Sequence, residues 1–75
     1  MTRLPRVTGK QVVKVLEKKG FTIIRVRGSH YHLHHHSKDI LVTVPVHAGK
    51  TLAPKTLKTI LRHSKITLED FIALI

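Results

Sequence analysis

The spacing of apolar residues changes twice along this chain, and that change limits its fold more than any other feature. Val12, Val13 and Leu16 recur at helical spacing, Thr22 to Val44 is alternating or β-branched, and Leu57, Ile60 and Leu61 return to helical spacing. A period near 3.6 buries one stripe of a helix, whereas a period of two buries one face of a strand. A chain reading helix, then strands, then helices belongs to the α+β class.

Local signals set the element ends. Thr8 and Gln11 form a capping box, and Val7 and Val12 hold the staple positions around it. The first helix is therefore expected over Gly9 to Lys19, closed by a left-handed Gly20. A strand follows in Thr22–Arg27, with Ile24 and Val26 on one face and Arg25 and Arg27 on the other. Gly28-Ser29 marks a turn. The second strand, His30 to His35, sends Tyr31 and Leu33 to one face and His30, His32 and His34 to the other. Ser37-Lys38-Asp39 turns the chain into a third strand, Ile40 to Val44, which Pro45 ends. After a loop, Pro54 opens a helix to His63, and Thr67 caps a last helix from Leu68 with Glu69 and Asp70 in its first turn. The expected architecture is one small domain over 1–75, α-β-β-β-α-α, with a three-stranded antiparallel sheet and helices on one face.

Composition narrows the function classes. The chain has 75 residues, so one thin core is all it can build. No cysteine is present, which removes disulfides, thiolate metal sites and a cysteine nucleophile, and favours a cytoplasmic setting. Met1-Thr2-Arg3-Leu4-Pro5-Arg6 is basic with no apolar run behind it, so no signal peptide is expected. No apolar stretch approaches the ~20 residues of a membrane span. Fourteen Lys and Arg against four Asp and Glu leave a net charge of +10. Nucleic acid is the first polyanion to consider, with an acidic protein as the alternative.

Seven histidines carry the remaining chemical interest. His30, His32 and His34 share a strand face, but Cβ atoms two apart on a strand converge poorly on one tetrahedral ion, so no metal and no cofactor is expected. Two-metal nuclease chemistry needs several converging carboxylates, and Glu17, Asp39, Glu69 and Asp70 lie on different elements. A nucleophile elbow is absent. What remains is acid–base chemistry by histidine on RNA, whose 2′-hydroxyl is its own nucleophile. Gly28-Ser29-His30 is the candidate position. Gly28 admits close backbone approach, Ser29 adds a donor, and Arg25 and Arg27 offer phosphate contacts. Pattern alone also fits a plain hairpin turn followed by a surface histidine.

The chain resembles the HicA family of toxins from bacterial toxin–antitoxin systems. The resemblance rests on a basic helix ending in Gly20-Phe21, on Gly28-Ser29-His30-Tyr31-His32-Leu33, and on Pro45-Val46-His47 leading into Gly49-Lys50 and Leu52. Thr56-Leu57, Ile60-Leu61 and Thr67-Leu68-Glu69-Asp70-Phe71 complete it, while His34, His35 and His36 are additions. The resemblance implies a fold like the double-stranded-RNA-binding domain. It also implies mRNA cleavage by the histidine matching His30 (an mRNA interferase) and neutralisation by a HicB-type antitoxin. On this reading His30 is the acid–base group, Arg25, Arg27 and Lys50 hold phosphate, Ser29 orients it, and His47 is either a second acid–base group or structural. The antitoxin is expected to cover the sheet edge around Gly28 to His32, facing Arg25 and Arg27.

Overall fold

The computed structural model describes residues 4–75; Met1, Thr2 and Arg3, part of the N-terminal stretch read for a leader, lie outside them. The element order is α1 (Gly9–Lys18), β1 (Phe21–Arg27), β2 (His30–His35), β3 (Ile40–Pro45), α2 (Pro54–Ser64) and α3 (Leu68–Leu74). Among the described residues the class is α+β with three antiparallel strands and three helices, as the sequence pattern predicts.

Local chemistry sets the ends as anticipated. The Thr8 side chain accepts from the Gln11 N–H at 3.2 Å, and the Gln11 side chain accepts from the Thr8 N–H at 2.8 Å. Val7 and Val12 are both buried beneath this box. The helix closes one residue early, at Lys18, with Lys19 as C-cap and Gly20 at φ +96°. Thr67 caps α3 by accepting from the Asp70 N–H at 3.2 Å, with Ile66 and Phe71 both in the core.

The sheet order is β1-β2-β3, so β2 is the central strand, hydrogen-bonded on both sides. The segment 28–32 therefore offers no free sheet edge; the free edges belong to β1 and β3. This corrects the expectation that a partner would cover an edge there. One face of the sheet packs under the helices, with Leu33, Val42 and Val44 meeting Val12, Leu16, Leu57 and Phe71 in a single cluster. α1 lies on β1 and β3, and α2 on β3.

A second correction concerns β1. Ile23 pairs with Leu33, yet the next pair is Arg25 with His32, so Ile24 is an extra, bulged residue. Ile24 is 58% exposed rather than on an inner face with Val26. Val26 does pair with Tyr31 on the helix side, but it stands on an edge strand and is 51% exposed. The inward apolar residues of β1 are Phe21 and, half-buried, Ile23. Without the bulge, strict alternation from Phe21 and Ile23 would send Arg25 and Arg27 to the helix side. One extra residue reverses the alternation and turns both arginines outward.

Candidate functional site

The uncovered face of the sheet collects the chemistry-bearing residues. Leu33 is buried on the helix side, so its neighbours His32 and His34, and with them His30, stand on the open side. Across the first hairpin Arg27 pairs with His30 and Arg25 with His32. Directly opposed residues hold their Cβ atoms about 4.5–5.5 Å apart, so His30 and His32 each have an arginine stem beside them, whereas His34 faces Thr22. From β3, Pro45 faces His30, Thr43 faces His32 and Leu41 faces His34.

These histidines differ in what holds them. His34 Nε2 meets Asp39 Oδ1 at 2.9 Å, an ion pair when the ring is protonated. His32 Nδ1 meets the Thr43 hydroxyl at 3.0 Å. His35, on the helix side, accepts at Nδ1 from the Lys38 N–H at 3.2 Å and stands edge-on to Phe21, with ring centroids 5.1 Å apart. His30 is exposed and has no hydrogen-bond partner among the described residues.

The turn into β2 is tight and open. Gly28 has φ +55° while Ser29 has a negative φ, the φ pattern of a type II′ hairpin that calls for glycine first. A Cβ at Gly28 would meet no described residue within 4 Å, which leaves room for a ligand to approach this backbone. The Ser29 carbonyl accepts from the Val46 N–H at 2.6 Å, which ties the turn to the end of β3.

His47 and Lys50 lie elsewhere. They begin and end one turn, closed by the Lys50 N–H to the His47 carbonyl at 3.0 Å with Gly49 at φ +74°. The Leu52 N–H, donating to the Val7 carbonyl at 2.8 Å, ties the loop to the start of α1. His47 lines a cleft there with Thr8, Lys10, Tyr31, Val46, Ala48 and Gly49. Tyr31 leaves β2 on the side opposite His30, so this cleft and the open sheet face are separate places. The fold thus gathers Arg25, Arg27, Gly28, Ser29 and His30, and keeps His47 and Lys50 in a second group. Among the described residues no three His, Asp or Glu side chains converge as a metal site. Sequence reasoning missed Thr43: alternation signals its face, but only the register puts it against His32.

The model of one protein family, the HicA toxin of bacterial toxin–antitoxin, matches residues 9–66, from the start of α1 to the residue just before the cap of α3. No curated protein matches the chain.

Proposed function

Because the chain belongs to the HicA toxin family of bacterial toxin–antitoxin systems, we propose that it is an endoribonuclease that cuts mRNA with His30 as an acid–base group. The observation that carries this reading is the open sheet face. It sets an imidazole with no side-chain hydrogen bond among the described residues opposite Arg27, beside a glycine turn where no described residue comes within 4 Å of an added Cβ. RNA supplies the 2′-hydroxyl, so the protein has only to move protons and hold phosphate. Arg25 and Arg27 hold the phosphate over β1 and β2, and Ser29 orients it. Lys50 contacts the strand further along, from the loop beside α1. His47 serves that second contact region.

The reaction is read as metal-independent. The donor set supports this, since Asp39 is engaged with His34 and Asp70 with Lys19 at 3.6 Å. No described helix is long and apolar enough to cross a membrane, and the cytoplasmic setting belongs to the proposal because that is where mRNA is translated. The toxin domain is read as one unit over 1–75. A HicB-type antitoxin neutralises it by laying carboxylates over Arg25 and Arg27, which closes the open face to RNA.

The deciding experiment is purified protein with single-stranded RNA in EDTA. Multiple-turnover cleavage supports the proposal. Salt-sensitive binding without cleavage would instead make the chain a non-catalytic RNA- or DNA-binding module, for which a basic surface of +10 net charge serves equally well.

A further inference from the structure

Cleavage through the 2′-hydroxyl moves two protons, one off the attacking oxygen and one onto the leaving oxygen, and His30 can serve one of them. We infer that His32 is the second acid–base group, the general acid that protonates the 5′-oxygen, and that Thr43 positions it. This rests on the ribonuclease reading above. His30 accepts the 2′ proton as the O2′–P bond forms. The P–O5′ bond breaks, and O5′ takes the proton from His32 Nε2. The products are a 2′,3′-cyclic phosphate and a 5′-hydroxyl, with no further reactant required.

Three observations assign the role. His30 and His32 stand on one face two residues apart, about 6.6 Å along a strand, so a single phosphodiester can touch both imidazoles. A general acid starts as imidazolium, whose two N–H groups both need acceptors. The Thr43 hydroxyl, 3.0 Å from Nδ1, accepts one and leaves Nε2–H for the leaving oxygen. His30 has no fixed acceptor among the described residues, which suits the partner that starts neutral. The other histidines fit less well, because His34 is tied to Asp39 and His47 lines the separate cleft. The charged and titratable groups facing His32 are Arg25 and Arg27 from β1 and His30 and His34 from β2; β3 presents Thr43, Leu41 and Pro45, which carry no charge.

The test compares an RNA oligonucleotide with uridine 3′-(p-nitrophenyl phosphate), whose leaving group needs no proton. His32→Gln is expected to lower kcat on RNA by about 10²–10⁴-fold with KM unchanged. It should also remove the alkaline fall of the pH–rate profile and leave the nitrophenyl ester cleaved at near wild-type rate. Thr43→Val, which keeps His32, should lower kcat on RNA by a smaller factor, and Thr43→Ser should restore it. That pair carries the test if His32→Gln fails to fold. Wild-type behaviour of His32→Gln on RNA, or an equal loss on both substrates, would overturn the assignment. With His30→Ala inactive on both, that result would leave the ribonuclease reading standing. A wild-type protein that cuts neither substrate overturns both.

Discussion

Replacing His30 with alanine separates chemistry from stability better than any other single change. The side chain is exposed, lies on the face away from the core and has no hydrogen-bond partner among the described residues. Its backbone pairs with Arg27 and Pro45, contacts that alanine keeps. Surface substitutions of this kind stay within about 0.5 kcal/mol, and alanine's weaker preference for a strand adds a fraction of a kcal/mol at most. The sum stays below about 1 kcal/mol, a shift in Tm of less than roughly 4–8 °C for a domain of this size. The chemical effect is far larger. A positioned acid–base group contributes about 10²–10⁴ in rate, or about 3–5 kcal/mol of barrier. The assay is gel-resolved cleavage of single-stranded RNA in EDTA, with circular dichroism for folding and fluorescence anisotropy for affinity. The expected variant is folded, binds RNA as wild type does, and does not cut. A folded His30→Ala that cuts at the wild-type rate refutes the argument, and His32, on the same open face, is then the next residue to replace.

Other consequences can be measured directly. RNA affinity should fall steeply with salt, and Arg27→Ala should reduce the slope of log affinity against log salt by about 0.7, one single-strand phosphate contact; an unchanged slope would remove Arg27 from the interface. Lys65, the C-cap of α2, is held at φ 58°, ψ 34°. Left-handed backbone costs a non-glycine residue about 1–2 kcal/mol, against about 0.5–1 for the extra freedom glycine loses, so Lys65→Gly should raise stability by about 0.5–1 kcal/mol in urea unfolding. Gly9→Ala should do the reverse. At the first helical position the gain in propensity is smaller than the about 1 kcal/mol of a helix interior, and the new Cβ would run into the Pro45 carbonyl oxygen and sit 2.9 Å from Val46 Cα. Overpacking against backbone typically costs about 1–3 kcal/mol, so Tm should fall, and a rise would show that α1 shifts freely there.

The element order and most element ends were legible in the sequence because their causes are local. Thr8 with Gln11, Gly20, Gly28-Ser29, Pro54 and Thr67 each act within a few residues, and the structure uses each of them where the pattern put it. The outward row His30, His32, His34 follows from strict alternation on β2, a strand that keeps its period. β1 does not keep its period. Ile24 and Val26 read from the sequence as one apolar face, yet Ile24 is bulged and exposed.

That bulge is a property of pairing between strands, and pairing is not local. Arg25 and Arg27 are outward on either reading. Only the register shows that they stand against His32 and His30, and that Thr43 reaches His32 from the opposite strand. Tertiary structure likewise decided that His47 and His30, close through the Pro45–His30 pair, open onto different sides of the sheet. By itself the sequence determined which residues end a helix or turn a hairpin, since caps and glycines act on their own backbone. Which side chains meet was settled only by the fold, because a single inserted residue reverses every later alternation, and where it inserts depends on what the neighbouring strand can pair with.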